Sequence, residues 1–208
     1  MPSSEGKIFF TILEVTEMNV EEIFSKLATH MAKGVLIHNQ MVSAFNFLGL
    51  KGYQKSQEYH YYEETKNYRN FLNYCLNNYY KIVVEEKIEM PEIIPTNWYK
   101  YMKMDVDIST KKNGTRDIFR KWIAWETETK KLLESSYHEL SELNEYAAAL
   151  QVLYLIKDVE KELRGAQEQL IDLETINYDL SQIVAEQQPL YNLYKEKIKN
   201  LYEDDVND

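Results

Sequence analysis

The hydrophobic positions of the chain recur mostly at helical spacing. In the first predicted helix, residues 19–47, Asn19 is a candidate N-cap with acidic residues in the first turn. Its apolar stripe follows steps of three, four or seven residues: Val20, Phe24, Leu27, Met31, His38, Met41 and Phe45. Gly49 and Gly52 interrupt the pattern, and a second helix is predicted over 53–86. One stripe of that helix contains Tyr61, Glu64, Tyr68, Phe71 and Cys75.

The second half of the chain repeats the helical pattern after a long connection. Residues 87–115 contain Pro91, Pro95 and Asn113-Gly114, and the segment is too long for a tight turn. A third helix is predicted from Arg116, with a stripe of Phe119, Trp122, Glu126, Thr129, Leu133, Tyr137 and Leu140. After a break near Asn144, the fourth helix has a core-facing set of Ala149, Val152, Leu155, Ile156, Val159, Glu162, Leu163, Ala166 and Leu170.

The last segment predicts a short helix. Gln188-Pro189 marks a stop and a restart, which places a fifth helix over 190–202 before an acidic tail. Short loops force neighbouring helices to be antiparallel, whereas a crossover as long as 87–115 lets the third helix run parallel to the second. The predicted fold is therefore all-α, an antiparallel four-helix bundle with one long crossover and a short C-terminal fifth helix. We expect an N-terminal arm at 1–17, the bundle at 18–175, and the short helix with its acidic tail at 176–208.

Composition narrows the range of functions. With 6 Gly and 4 Pro in 208 residues, the chain has too few turn formers for a many-stranded sandwich or barrel. A net charge of −10 argues against nucleic acid or an anionic membrane as the partner. The single Cys75 excludes an internal disulfide, and no apolar run is long enough for a bilayer span. These features favour a cytoplasmic protein, and no phosphate loop, nucleophile elbow or Cys-x-x-Cys motif is present.

Three carboxylates lie on predicted core stripes of three different helices: Glu64, Glu126 and Glu162. A buried carboxylate is unfavourable unless it is paired, protonated or bound to a metal. If the three converge, an oxygen-rich pocket inside a bundle suits iron or another hard or borderline cation. The alternative for each is a misjudged helix face, which would leave a solvated glutamate.

Several segments resemble the bacterial non-haem ferritins over about residues 18–175. They are Glu63-Glu64-Thr-Lys-Asn67 on the second helix, Trp125-Glu126-Thr-Glu128 on the third, and Asn144-Glu145-Tyr146-Ala147 with Lys157-Asp158-Val159-Glu160-Lys161-Glu162 on the fourth. The resemblance implies a ferritin-like bundle and a dinuclear iron centre that takes a Glu from helix A, a Glu-x-x-His from helix B and a Glu from helix C.

When this sequence is matched to the family's helices without gaps, two ligands of that centre are missing. Glu64 and Glu126 are kept, but the helix A Glu position falls on Met31 and the helix B His position on Asn67. A helix D Gln position falls on Val159. The resemblance therefore implies a degenerate centre, with iron at low occupancy and Fe(II) oxidation that is slow or absent. Asp158 and Glu162 match acidic positions of an additional inner-surface iron site. His60 and Glu64, four residues apart, resemble the His–acid pair of the miniferritins, although a surface or satisfied histidine is the simpler interpretation.

The predicted function is an iron-binding and iron-storage subunit of a homo-oligomeric cage, which the resemblance implies has 24 subunits. The alternative is a ferritin-fold assembly or interaction protein that is not catalytic and no longer binds metal. A twelve-subunit shell is a third interpretation, which the long segment after Leu173 disfavours.

Overall fold

The computed structural model describes residues 19–96, 98 and 106–204, and five α-helices account for most of them. The predicted arm at 1–17 and the end of the acidic tail lie outside the described residues. None of the described residues forms a β-strand. The two pairs of consecutive helices pack as hairpins joined by short loops, and this confirms the predicted all-α bundle with one long crossover. The helices are α1 (Val20–Leu48), α2 (Lys51–Asn77), α3 (Ile108–Glu142), α4 (Tyr146–Thr175) and α5 (Leu180–Asp204).

The ends of α1 follow from local chemistry. The side chain of Asn19 accepts a hydrogen bond from the backbone N–H of Glu22, and the Glu22 carboxylate accepts one from the N–H of Asn19. This reciprocal capping box satisfies two N–H groups that the helix itself cannot use. At the other end Gly49 has φ 75°, a left-handed conformation that glycine adopts without strain. Asn144, with φ 61°, makes the corresponding turn between α3 and α4.

The second helix ends earlier than predicted, at Asn77 rather than Glu86. Residues 80–85 are instead extended and lie along α1. Every second backbone N–H of this segment donates to an α1 side chain: Lys81 to Glu21, Val83 to Ser25 and Glu85 to Thr29. Ile82 and Val84 point the other way and pack against the core. This alternation has the period of a strand, and the β-branched residues favour it over helix.

The third helix begins at Ile108, earlier than the predicted Arg116. Asp107 is its N-cap, and the Asp107 carboxylate accepts a hydrogen bond from the N–H of Thr110 at 2.7 Å. Gly114, which suggested a break, lies inside the helix. A Cβ at this position would lie 2.7 Å from the ring of Trp98, so the glycine permits close packing rather than a turn.

The fifth helix differs most from its prediction. It begins at Leu180 rather than Leu190, and Pro189 lies inside it. It packs lengthwise on α2 and runs in the same direction, because Gly52 contacts Gln187 and Tyr59 contacts Tyr194. Gly52 is again a packing position rather than a helix break.

The hydrophobic core divides into two clusters. One contains Met41, Phe45, Phe119 and Trp122, and the other contains Phe24, Leu27, Met31, Phe71, Leu133 and Val152. The buried face of α2 passes through Tyr53, Gln57 and His60 before it reaches Phe71 and Cys75, and the other members of the predicted stripe, Tyr61, Glu64 and Tyr68, are half-buried. Buried polar side chains lie where the two clusters meet.

Candidate metal centre

Two histidines and two glutamates from four helices converge between the hydrophobic clusters. They are His38 of α1, His60 of α2, Glu126 of α3 and Glu162 of α4, and none is more than 8% exposed. Two overlapping groups of three potential ligand side chains have their ligand atoms within 4.8 Å of one another. One contains His38, Glu126 and Glu162, and the other contains His60, Glu63 and Glu162. Glu162 belongs to both groups.

Three buried atoms of this cluster have no hydrogen-bond partner among the described residues: His38 Nε2, His60 Nδ1 and Glu162 Oε2. Each faces another potential ligand. His38 Nε2 lies 3.4 Å from Glu126 Oε1, and His60 Nδ1 lies 3.3 Å from Glu162 Oε2. Buried polar atoms in proteins are nearly always hydrogen-bonded. A cation between these facing atoms would supply the missing partner, in place of a proton on His38 Nε2.

Neighbouring side chains orient the cluster. His38 Nδ1 lies 2.9 Å from Gln57 Oε1, so a hydrogen bond there requires a proton on Nδ1 and leaves Nε2 directed at Glu126. The indole N–H of Trp122 donates to Glu126 Oε1 at 3.0 Å. The Tyr59 hydroxyl donates to Glu63 Oε1 at 2.9 Å. Such outer contacts are characteristic of metal sites, because they fix the tautomer and rotamer of each ligand.

The electrostatics of the cluster disfavour a charged carboxylate at Glu162 and favour a positive charge at His38. Burial raises the pKa of Glu162 well above its usual range, and the charge of Glu126 raises it further. Burial by itself lowers the pKa of His38, but its contact with the Glu126 carboxylate overrides this effect and raises that pKa to about 9. For His60, burial and the nearby charge of His38 lower the pKa to about 3. One more cation in the cluster would relieve the repulsion between the carboxylates.

Two of the predicted ligands do not join this cluster. Glu64 belongs to neither group of three, and it lines a separate cavity of about 30 Å³. Burial raises the pKa of its carboxyl well above the usual range, with the charge of Glu162 as the next cause. The three positions expected to have lost their ligands line the same cavity: Met31, Asn67 and Val159. Asp158 is exposed and lines both this cavity and a larger one near His60.

The structure thus brings together Glu126, Glu162 and His60 and adds residues that the sequence did not single out. His38 lies seven residues after Met31 on α1, and Gln57 and His60 lie seven residues before Glu64 and Asn67 on α2. Because α1 and α2 are antiparallel, both offsets describe one shift along the bundle axis. A signal for the correct layer was present in the motif Gln57-x-x-His60, together with His38 on the α1 stripe.

A larger pocket, of about 410 Å³, opens from the surface onto the cluster. It lies between α2, α4 and α5, and His60, Glu162 and Trp122 line it. The α5 helix contributes Tyr194 and Lys197 to its wall. The ammonium group of Lys197 lies 4.8 Å from the ring centroid of Tyr194 and 5.5 Å from that of Tyr59. The mouth of the pocket is therefore built around a cation–π arrangement.

Solved structures with the same architecture are ferritins. An engineered closed form of the Archaeoglobus fulgidus ferritin aligns with TM-score 0.67 and 14% identity, over 82% of this chain and 93% of that chain. The open-pore ferritin of the same hyperthermophilic archaeon aligns with TM-score 0.67 and 13% identity, with the same coverage. A variant of PmFTN whose crystals were soaked in iron overnight aligns with TM-score 0.65 and 10% identity, over 80% of this chain and 94% of that chain.

These similarities establish the ferritin-like fold. No protein-family model matches the sequence, and no curated protein matches it at a significant level. Among the described residues, no helix combines the length and apolar content needed to span a membrane.

Proposed function

Taking the ferritin-like fold as the premise, we propose that this protein is an iron-binding subunit whose centre lies at His38, His60, Glu126 and Glu162. The observation that carries the proposal is the convergence of three buried, unpartnered ligand atoms from three helices. Imidazole and carboxylate together suit iron, and also zinc. One ion would be held by His38, Glu126 and Glu162, and a second by His60, Glu63 and Glu162. The shared Glu162 would connect the two positions.

The cluster resembles a di-iron site in which several positions have changed. In ferritin-like di-iron proteins two helices each supply a Glu, and the other two each supply a Glu-x-x-His motif. In this chain α1 supplies His38 and α3 supplies Glu126. The motif on α2 is Gln57-x-x-His60, and that on α4 is Glu162-x-x-Gly165. This register differs from the gapless one, but it also implies a degenerate centre.

A degenerate centre predicts slow chemistry. His38 and Gln57 replace carboxylates, and anionic oxygen ligands stabilise a ferric ion more than neutral ligands do. Fe(II) oxidation at this cluster is therefore expected to be slow or absent, and iron occupancy low. Glu64 and Asp158 remain outside the centre in this proposal, although Asp158 lines the pocket that leads to it.

The fold also supports a homo-oligomeric cage for iron storage, since two of the solved structures that it resembles are named as ferritins and the crystals of a third were soaked in iron. We extend the proposal to a 24-subunit assembly. The lengthwise packing of α5 on α2 places Tyr194 and Lys197 beside Asp158 and Glu162. The sequence resemblance assigns Asp158 and Glu162 to the inner surface of such a cage.

One observation favours the alternative, a ferritin-fold assembly protein without metal. Glu126 accepts a hydrogen bond from Trp122 and pairs with His38, and a protonated His38 would compensate that carboxylate without any ion. The two functions differ in whether Glu162 and His60 bind a metal ion.

Anaerobic Fe(II) titration by calorimetry separates the two functions. We expect about two ions per subunit, as in other two-metal sites, and loss of binding in Glu162→Gln. The matched control is Glu160→Gln, which removes an exposed carboxylate of the same helix that pairs with Lys130. An absence of Fe(II) binding by the unmodified protein would support the assembly protein. A rapid stoichiometric oxidation burst on adding oxygen would instead contradict the slow-chemistry proposal.

A further inference from the structure

The pocket beside the cluster is larger than a metal centre requires. Its volume is about 410 Å³, whereas one water takes up about 30 Å³ in the liquid. Pockets that bind small organic molecules begin at about 300 Å³. The pocket therefore has room for an organic ligand next to His60 and Glu162.

The inner wall of the pocket is aromatic, and His60 and Glu162 lie beside it. Trp122 is 1% exposed and Tyr194 is 8% exposed, and Tyr59 lies beside them. His60 Nδ1 and Glu162 Oε2 are buried and lie 3.3 Å from each other. The accessible inner wall therefore suits a flat apolar body.

The rim of the pocket presents cations. Lys161, Arg164 and Lys197 are exposed and line it, and among the described residues no carboxylate lies within 4.0 Å of their charged groups. Four carboxylates line the pocket as well. Glu162 is buried, Glu63 accepts a hydrogen bond from the Tyr59 hydroxyl, and Asp158 and Glu168 are exposed like the three cations. A ligand with an anionic group at the mouth would find three positive partners there.

Gly165 keeps the pocket open on the α4 side. It lies inside a long helix, where glycine is less favourable than alanine. A Cβ at this position would meet no heavy atom within 4 Å, so no neighbour requires the glycine. The space in front of it is the pocket itself.

We propose that this pocket binds a small organic carboxylate, with its acid group against Lys161, Arg164 and Lys197 and its apolar body against Trp122 and Tyr194. The inference deepens the proposed function, because it names a ligand class that would bind beside the metal centre. The binding itself depends on the pocket walls, and it is expected in the metal-free protein.

The test is a titration of the metal-free full chain with benzoate, followed by saturation-transfer NMR and tryptophan fluorescence. We expect saturable binding that weakens at least about tenfold in Gly165→Trp, since the indole would fill the pocket. Gly165→Ala is the matched control and should bind like the parent. Gly165→Leu serves as a second filling variant if the tryptophan variant does not fold, as judged by circular dichroism.

A charge comparison completes the experiment. Benzyl alcohol has the same ring without the charge and should bind about tenfold more weakly than benzoate, and Arg164→Gln should reduce that difference. Equal binding of the two probes, or unchanged benzoate binding in a folded filling variant, would overturn the proposal. Fe(II) binding is measured on the same protein samples. Benzoate binding without Fe(II) binding would refute only the metal centre, and the reverse result would refute only the carboxylate pocket.

Discussion

At the scale of single residues, His38 and His60 show how position within one cluster decides protonation. Their ring centroids lie 5.7 Å apart, yet the pKa of His38 is raised to about 9 and that of His60 is lowered to about 3. Both rings are buried, which favours the neutral form. His38 overcomes this because Nε2 faces the Glu126 carboxylate, whereas His60 has the positive His38 beside it.

His30 gives a prediction for pH dependence outside the cluster. It stacks on Trp125 with centroids 4.2 Å apart, and Nε2 bonds to Thr129 Oγ1. Burial, followed by the charges of Lys33 and Lys26, lowers its pKa from 6.5 to about 4. Between these values the unfolded chain binds more protons, so the free energy of unfolding should fall as pH decreases from about 6.5 to 4.

Urea unfolding at pH 7 and pH 5 tests this prediction. We expect the loss of stability between the two pH values to be about 2 kcal/mol smaller in His30→Gln than in the parent. His60 contributes in the same direction, so the comparison with the parent isolates His30. Equal pH dependence in both proteins would show that His30 is not buried in its neutral form.

Glu162 predicts a conflict between stability and binding. Its buried Oε2 has no hydrogen-bond partner, so the carboxylate destabilises the metal-free protein. Glu162→Leu should raise the free energy of unfolding in the presence of a chelator by about 1–2 kcal/mol, and it should abolish Fe(II) binding. Glu160→Leu loses the hydrogen bond to Lys130 and should be neutral or slightly destabilising. A less stable Glu162→Leu would indicate that the carboxylate has a structural partner.

At the scale of elements, α5 supplies the N-terminal side-chain cap that α2 lacks. Leu50 provides no side-chain cap for α2, and the Gln187 side chain of α5 supplies one by accepting hydrogen bonds from the N–H groups of Gly52 and Tyr53. The first turn of α2 thus depends on a residue far away in sequence. Packing on α2 holds α5 together across the proline.

Gly52 tests the contact between α2 and α5. A Cβ there would lie 2.5 Å from the backbone oxygen of Gln187, which cannot move without α5. Gly52→Ala should therefore destabilise the protein by about 2 kcal/mol and increase hydrogen exchange in α5. Gly165→Ala is the control and should show no such loss, because nothing lies near its Cβ. Unchanged exchange in Gly52→Ala would mean that α5 does not depend on this contact.

At the scale of the whole molecule, the polar cluster interrupts an otherwise apolar interior. The two hydrophobic clusters stabilise the bundle on either side, and the helices can therefore hold the unpartnered carboxylate oxygen of Glu162 between them. The fold tolerates the unfavourable burial of these polar groups because its stability comes from the two hydrophobic clusters.

The assembly prediction belongs to this scale. Size-exclusion chromatography with light scattering on Fe(II)-loaded protein should show a large homo-oligomer that retains iron. A monomer with bound iron would contradict the cage while leaving the metal centre in place. A large assembly without iron would favour the structural alternative.

Helical periodicity predicted the all-α bundle and placed Glu126 and Glu162 on buried faces, because periodicity decides which face of a helix is buried. The prolines and length of 87–115 predicted the crossover, and the resemblance to the miniferritins added His60. Periodicity did not decide the layer at which the helices meet. A seven-residue step returns to nearly the same face of a helix. Periodicity therefore does not distinguish Met31 from His38, or Asn67 from His60, although the members of each pair lie about 10 Å apart along the helix axis. Only packing chose between them. The length of α5 and the pocket that it lines were also decided by tertiary contacts, since α5 packs along α2 on both sides of Pro189.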